Sequence, residues 1–281
     1  MRSDLVIISW WSNCLGLACL HNLVAYTRNR NIYVIQVGKP EEQKERFRSL
    51  LPPGVEELPY PPNRGAEDWR VRETVARELL SDREGLWFID HDLFVQEDCE
   101  DWLEDMDRRF SRSNVCLCHR APLRGLAMTD PAFWLSPVRF PPGMPSFAPV
   151  PYHENPVARE PYAPRQAVDS KMIIPEKDTL VAAMEFLRDR GLVCEFPLTN
   201  SDWVAGRPAP FPSHEHLGGL YAFTSGDLPA SFHDWLAQCV TRFTAFYAVC
   251  PPALVSIEDP VLMQRIDEFR QVVSKVPRTY E

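Results

Sequence analysis

The chain has 281 residues, of which 45% are hydrophobic, and its formal net charge at pH 7 is −9. This length and apolar content suffice for one large domain, or for one domain with a substantial appendage. The acidic balance argues against a nucleic-acid-binding surface, because neutralising phosphates requires a basic stripe. No apolar run is long enough to span a bilayer, and the N-terminus lacks a signal-peptide pattern. We therefore expect a soluble, cytoplasmic protein without a transmembrane segment.

The first 120 residues alternate strand-like and helix-like patterns. Short β-branched or apolar runs predict strands over residues 4–9, 31–38 and 86–90. Apolar residues at helical spacing and charged amphipathic stretches predict helices over residues 14–29, 41–51 and 66–85. This alternation predicts an α/β fold with a mostly parallel central sheet flanked by helices. In such sheets, ligands bind beyond the carboxyl ends of the strands.

The second half of the chain has a different composition. Residues 137–164 contain nine prolines and several aromatic residues, which indicates an ordered flap over a site rather than a tight connection. In the preceding segment MTDPAFWLSP we predict Phe133 to be core, whereas Trp134 is either core or a platform for stacking a sugar. Further on, residues 176–191 predict a helix with a glycine stop. Residues 226–281 predict a C-terminal helical extension.

The stretch LWFIDHDLFV, residues 86–95, introduces two carboxylates at the end of an apolar strand. Residues two apart on an extended strand point to the same side, so Asp90 and Asp92 are predicted to lie together. Two neighbouring carboxylates repel unless a cation lies between them. Oxygen ligands suit Mg²⁺ or Mn²⁺, and Mg²⁺ is typically held by one or two carboxylates together with substrate phosphates. This D-x-D pattern therefore predicts a metal site for a nucleoside diphosphate; the alternative is a capping or solvent-facing pair.

A second polar pattern lies far downstream, in the stretch FPSHEHLGGLYAF. If the backbone is extended there, His214 and His216 point to one side, and the paired glycines that follow allow close approach of a ligand. Imidazole is a ligand that Mn²⁺ accepts alongside carboxylates. The alternative is a surface loop with two unrelated histidines.

Taken together, the tryptophans after the first strand, the F-I-D-H-D segment and the late H-x-H-L-G-G segment resemble metal-dependent nucleotide-sugar glycosyltransferases of the GT-A fold. The resemblance covers roughly residues 4–225. It implies a catalytic domain over 1–225, with a nucleotide-binding half over 1–120 and an acceptor half over 121–225. It also implies a nucleoside-diphosphate sugar donor, UDP- or GDP-linked, and a Mn²⁺ or Mg²⁺ cofactor.

The resemblance implies roles for individual residues. Asp92 corresponds to the direct metal ligand, and Asp90 to the residue that contacts the ribose or a metal-bound water. His214 or His216 corresponds to the histidine that completes the metal shell, with His216 preferred because it immediately precedes the LGG segment. The residues that correspond to the nucleotide- or donor-binding groups are Ser9, Trp10, Trp11, Arg64, Glu67 and Arg70. Arg72 belongs to the same charged helix, for which a solvated surface is the alternative.

The catalytic step depends on the stereochemical outcome. An inverting enzyme needs a carboxylate that deprotonates the acceptor hydroxyl, and the candidates are Asp169 and Asp202. A retaining enzyme needs no such base, and both outcomes stay open, as does the identity of the acceptor. The alternative functions are a nucleotidyltransferase acting on a sugar phosphate and a catalytically inactive protein that binds nucleotides or glycans. The segment SWWSNCLGLACL has no Lys or Arg, which counts against the nucleotidyltransferase.

Overall fold

The computed structural model describes most of the first half of the chain and several segments of the second half. The described residues are 2–10, 13–61, 64–65, 67–112, 115–117, 132–148, 181–190, 194–195, 214–216, 241, 244–248, 264, 267 and 271. No helix among them is long and apolar enough to cross a membrane.

The described strands and helices follow the alternation predicted for the first half. The strands are β1 (Asp4–Ser9), β2 (Ile32–Gln36), β3 (Val55–Glu57), β4 (Leu86–Asp90), β5 (Leu93–Val95), β6 (Val115–Leu117), β7 (Ala132–Leu135), β8 (Cys194–Glu195) and β9 (His214–His216). The helices are α1 (Asn13–Tyr26), α2 (Glu41–Ser49), α3 (Asp68–Thr74), α4 (Cys99–Arg109) and α5 (Val181–Asp189). Helix α3 continues as a π-helical turn over Val75–Leu79, so the predicted helix over 66–85 is shorter than expected and changes its winding.

The central sheet has seven strands in the order β3-β2-β1-β4-β7-β6-β8. Strands β3, β2, β1 and β4 are parallel neighbours. Strand β7 is antiparallel to both of its neighbours, β4 and β6, whereas β6 and β8 are parallel. The α/β fold with a mostly parallel sheet is thus confirmed. The antiparallel β7 was not predicted.

Helices cover both faces of the sheet, because the central strands bury side chains on both sides. On β1, Leu5 and Ile7 belong to a core cluster with residues of α1, α2 and α4. Val6 and Ile8 belong to a second cluster with residues of α3 and α5. This three-layer arrangement explains why β1 is an unbroken apolar run rather than an alternating one.

Strand β7 and the segment after it contribute side chains to the two core clusters. Phe133 and Trp134 are fully buried, which confirms Phe133 as core and gives Trp134 a core position rather than a surface platform. In the predicted proline-rich flap, residues 137–148 are described, and Phe147 among them is fully buried. Arg77 donates hydrogen bonds to the carbonyls of Met144 and Pro145. Residues 149–164 of the flap lie outside the described residues, as does most of the extension over 226–281.

Candidate active site

The D-x-D pattern lies at the carboxyl end of β4, where the chain turns sharply. Asp90 is the last residue of β4, His91 and Asp92 form a turn, and β5 begins at Leu93. Both turn residues are buried. The prediction that Asp90 and Asp92 share one extended strand is therefore wrong, because the turn between β4 and β5 separates them. The segment from Asp90 to Val95 is called the D-x-D turn below.

Strand β9 brings the H-x-H pattern beside the D-x-D turn. Strands β5 and β9 form a separate antiparallel two-stranded sheet. His216 is the cross-strand partner of Leu93, and His214 is the partner of Val95. The backbone at H-x-H is extended, which is the condition on which the predicted pairing of the two histidines depends. The two patterns thus meet at the backbone level, with His216 opposite the residue that follows Asp92.

Arg72, on α3, connects that helix to the D-x-D turn. Its Nη2 lies 3.3 Å from Asp90 Oδ1, and its Nε lies 2.6 Å from Asp68 Oδ2. The guanidinium carbon also lies over the ring of Phe133, 4.9 Å from its centroid. Only 7% of the Arg72 side chain is exposed, so the charge is held in an environment where ion pairs are poorly screened. Arg72 therefore holds the Asp90 carboxylate with a charge-assisted hydrogen bond.

Helix α1 contacts the opposite side of the D-x-D turn. The thiol of Cys19 lies 3.7 Å from the Asp90 carbonyl oxygen. Burial raises the pKa of the Cys19 thiol well above its ordinary value, and the charges of Asp92 and Asp90 raise that pKa further. The thiol therefore stays protonated and is available as a hydrogen-bond donor. One helical turn later, the side-chain amide of Asn22 bonds the backbone of Val95.

A buried lysine that the sequence interpretation missed lies at the carboxyl end of β1. Lys39 follows β2, and its Nζ lies 2.7 Å from Ser9 Oγ and 4.3 Å from the centroid of the Phe47 ring. Ser9 is fully buried, and a Cβ added to Gly16 of α1 would collide with its Oγ. Glycine at this position therefore allows α1 to pack closely against Ser9. The neighbouring Trp10 is half-buried and packs against the second core cluster.

The other charged candidates near α3 form ion pairs with each other or with nearby carboxylates. Arg64 pairs with Glu78 at 2.7 Å, and Arg70 pairs with Glu67 at 3.3 Å. All four side chains are 40% or more exposed, so solvent screens these pairs. The described contacts link the D-x-D turn to Arg72 rather than to Arg64, Glu67 or Arg70.

Three predicted site residues lie outside the described residues: Trp11, Asp169 and Asp202. For His214 and His216 the structure describes the backbone strand.

The donor chemistry at the D-x-D turn suits a hard divalent cation. Among the residues that the structure describes, no group of three or more His, Cys, Asp or Glu side chains is placed to hold a metal ion. A complete protein cage is not required, since Mg²⁺ is commonly held by one or two carboxylates and completed by substrate phosphates and water. Asp90 and Asp92 supply such carboxylates, and the adjacent β9 carries imidazoles that suit Mn²⁺.

No protein-family model matches the chain, and no curated protein matches it in sequence. The solved structures similar to it include several glycosyltransferases. The bifunctional glycosyltransferase WbbM is 16% identical, with a TM-score of 0.32 over 48% of this chain and 27% of WbbM. The glycosyltransferase GlyE of Streptococcus pneumoniae TIGR4 is 11% identical, with a TM-score of 0.45 over 93% of this chain and 65% of GlyE.

A structure of the galactosyltransferase LgtC in complex with donor and acceptor sugar analogues is similar over 98% of both chains, with 8% identity and a TM-score of 0.44. The chain thus spans about a quarter of WbbM and just under two thirds of GlyE.

Proposed function

We propose that this protein is a glycosyltransferase that moves a sugar from a nucleoside-diphosphate sugar to an acceptor hydroxyl, using a divalent metal ion at the D-x-D turn. The observation that carries the proposal is the β5–β9 pairing, with His216 opposite the residue that follows Asp92. Two distant polar patterns thereby meet beyond the carboxyl end of β4. In parallel α/β sheets this edge is where ligands bind.

The metal site of this proposal uses Asp90, Asp92 and His216, with His214 as the alternative histidine. Carboxylate oxygens and one imidazole form a donor set for Mn²⁺, and the carboxylates alone suit Mg²⁺. A bound divalent ion would act as a Lewis acid toward the departing diphosphate. Arg72 keeps the Asp90 carboxylate oriented through its 3.3 Å contact, and neutralises part of the charge that the two aspartates concentrate there.

The nucleotide of the donor is proposed to lie along the carboxyl ends of β1 and β2. Trp10 and Trp11 follow β1 in the sequence, and an indole ring of either would stack on the base; UDP or GDP is the expected diphosphate. Because Ser9 is fully buried under Lys39 and Gly16, its role would be to hold the Lys39 ammonium near this edge. The contributions of Arg64, Glu67 and Arg70 to donor binding stay proposals, and each would require breaking an exposed ion pair.

The acceptor is proposed to bind to the second half of the domain, residues 121–225. If the reaction inverts configuration, Asp169 or Asp202 would act as the base that removes the acceptor proton. Residues 226–281 would then form an extension to a catalytic domain over 1–225. Part of this extension contacts the site region, because the ring of Phe246 lies 5.6 Å from that of Phe94 in β5.

A thermal-shift screen tests the proposal. UDP, GDP, CDP, ADP and TDP would each be added with and without Mn²⁺ to the wild type, to Asp92→Asn and to the control Asp82→Asn. A ligand that binds only the native state stabilises it by about 2.7 kcal/mol at a concentration 100 times its Kd. We expect a Mn²⁺-dependent shift with UDP or GDP in the wild type and in Asp82→Asn, where the exposed carboxylate lies outside the site, and loss of that shift in Asp92→Asn.

The reaction itself separates the alternatives. Incubation with the matching nucleotide sugar should release nucleoside diphosphate slowly when water is the only acceptor of the sugar, and faster when an acceptor with a suitable hydroxyl is added. A nucleotidyltransferase would instead release pyrophosphate from a nucleoside triphosphate and a sugar phosphate. If no nucleotide shifts the unfolding temperature, the proposed enzymatic function is contradicted, and a protein that binds another ligand is favoured.

A further inference from the structure

We propose that Asn22 and Cys19 of α1 are positioning residues that fix the D-x-D turn in the geometry that binds the metal–nucleotide complex. The inference rests on the proposed function, and adds two residues that do not themselves touch metal or nucleotide. It is carried by the hydrogen bonds that α1 makes to the backbone on both sides of Asp92.

Asn22 binds β5 as a neighbouring strand would. Its Nδ2 donates to the Val95 carbonyl oxygen at 3.0 Å, and its Oδ1 accepts from the Val95 N–H at 2.7 Å. A side-chain amide presents one donor edge and one acceptor, the same pair that a peptide group offers. Asn22 therefore satisfies both backbone groups of Val95 with one side chain.

Cys19 closes the D-x-D turn at its other end. Its thiol donates a hydrogen bond to the Asp90 carbonyl oxygen, with the sulfur 3.7 Å from that oxygen. Asp90 is the residue immediately before the pair His91–Asp92. The fully buried thiol thus holds the backbone of the residue that precedes the turn.

The alternation of the strand explains why α1 can make these contacts without competing with β9. Along a strand, consecutive residues present their backbone N–H and C=O groups to opposite edges. Leu93 and Val95 therefore face the same edge, and the hydrogen bonds between Val95 and Asn22 identify it as the α1 edge. The intervening Phe94 faces β9, where its cross-strand partner is Glu215.

The two contacts act on the same rigid support. Cys19 and Asn22 are three residues apart on α1, so they lie on one face of the helix. Helix α1 is in turn fixed against β1 by the close approach of Gly16 to Ser9. Helix α1 therefore fixes the position of the D-x-D turn relative to the centre of the sheet. The position of the Asp92 carboxylate is fixed in the same way.

Substitutions of Asn22 and Cys19 distinguish a positioning role of these side chains from a purely stabilising one. Asn22→Leu removes both hydrogen bonds to Val95, and Asn22→Asp keeps the acceptor but sets an oxygen against the Val95 carbonyl. Cys19→Val removes the sulfur contacts, whereas Cys19→Ser keeps a donor and an acceptor. The matched control is Asn31→Leu, which removes a 2.9 Å amide hydrogen bond to Asp4 at the amino end of the central sheet.

The readout is the Kd for UDP or GDP, whichever binds the wild type, measured by calorimetry with Mn²⁺ and again with EDTA. We expect Asn22→Leu and Cys19→Val to raise the Kd with Mn²⁺ about 10- to 100-fold, the range seen when outer-shell partners of metal ligands are lost. The Kd with EDTA should stay within about twofold. With Mn²⁺, the Kd of Asn22→Asp should lie between those of the wild type and Asn22→Leu, and the Kd of Cys19→Ser should be closer to the wild-type value than that of Cys19→Val. Asn31→Leu should leave the Kd unchanged with Mn²⁺ and with EDTA.

The outcomes discriminate between this inference and the proposed function. Absence of Mn²⁺–nucleotide binding in the wild type itself overturns both. Normal wild-type binding together with unchanged Kd values in Asn22→Leu and Cys19→Val overturns the positioning role alone, as would an equal loss of affinity with Mn²⁺ and with EDTA. If Asn22→Leu fails to fold, Asn22→Asp and the Cys19→Ser and Cys19→Val pair are judged by the same criteria.

Discussion

His216 lies directly opposite Leu93 in the β5–β9 pair. Its backbone is therefore beside the residue that immediately follows Asp92. His214 lies opposite Val95, two positions farther along β5. Each position along a strand adds about 3.3 Å, so the backbone of His214 lies about 7 Å farther from Asp92 along the strand than that of His216. The register therefore favours His216 as the histidine nearer to a metal bound at Asp92.

The first prediction follows from this register. His216→Ala should weaken Mn²⁺ binding in the presence of nucleotide by at least about tenfold, whereas His214→Ala should weaken it less. Mn²⁺ titrations monitored by electron paramagnetic resonance measure both values on the same scale. Equal losses in the two variants would mean that both imidazoles act on the metal, and a larger loss in His214→Ala would contradict the order that the strand pairing implies.

The second prediction concerns the Arg72–Asp90 ion pair. Arg72→Met should lower the free energy of unfolding without metal by about 1–3 kcal/mol, because the largely buried Asp90 carboxylate loses a charged partner. Mn²⁺ with nucleotide should then raise the unfolding temperature by more than it does in the wild type, since the cation compensates a charge that Arg72 no longer balances. Thermal unfolding with and without Mn²⁺ and nucleotide measures both effects.

Arg72→Lys is the matched control for this pair. It keeps the positive charge but lacks the planar fork that reaches Asp68 and Asp90 at once, so we expect a stability between those of the wild type and Arg72→Met. A Met variant as stable as the wild type without metal would show that the Asp90 contact contributes nothing to folding.

Local sequence patterns predicted the first half of the fold because its elements are long enough to show a regular spacing of apolar residues. Strand β1 and helix α1 bury continuous or helically spaced apolar residues, and the predicted elements lie where the structure has them. The three-residue strands β5 and β9 are too short to show a period. Their pairing joins segments far apart in the chain, so single-sequence reasoning had no means to predict it.

The site residues divide along similar lines. The D-x-D and H-x-H patterns are visible as polar residues next to apolar runs, whereas Lys39 lies in VGKP, which is typical of a solvent-exposed turn. A buried lysine is rare. The position of Lys39 beside Phe47 and Ser9 therefore becomes evident only from the packing of α1 and α2. Arg72 had a detectable pattern: with Asp68 and Ala76 it forms a stripe at four-residue spacing beside the buried Val71 and Val75.

The third prediction concerns a buried ion cluster at the amino end of the sheet. The Arg30 guanidinium lies 3.0 Å from Glu100 and 2.8 Å from Asp107, and all three side chains are at most 3% exposed. Burial by itself lowers the pKa of Arg30, but the charge of Asp107 and the hydrogen bonds to Glu100 and Asp107 outweigh that effect and raise it. Arg30→Met should destabilise the fold by about 3–5 kcal/mol, because it leaves two carboxylates buried without their cation.

The triple variant Arg30→Met, Glu100→Gln, Asp107→Asn is the control for charge. It removes all three charges while the amides keep acceptors for the backbone N–H groups of Arg28 and Ser3, so it should recover a substantial part of the loss. Urea unfolding of the three proteins measures this. If the single and triple variants are equally destabilised, the loss comes from packing rather than from unbalanced charge.

The fourth prediction is a pH dependence that originates at Asp4, the first residue of β1. Burial raises the pKa of the Asp4 carboxyl above its ordinary value of 3.8, against the opposing effects of the Asn31 hydrogen bond and the charges of Arg83 and Arg30. Between 3.8 and the raised pKa, the folded protein holds a proton at Asp4 that the unfolded chain has released. The contribution of Asp4 to stability therefore falls as the pH rises through that window, and stays lower above it.

Asp4→Asn isolates this contribution, because the amide keeps an oxygen that can accept from Asn31 but does not titrate. The other carboxyl groups titrate in both proteins, so their effects cancel in the difference between the two unfolding free energies. Urea unfolding at intervals from about pH 4 to about pH 7 should show the wild type losing stability relative to Asp4→Asn as the pH rises. A relative gain in the wild type would mean that Asn31 and Arg83 outweigh burial, and that the pKa of Asp4 is lowered in the folded protein.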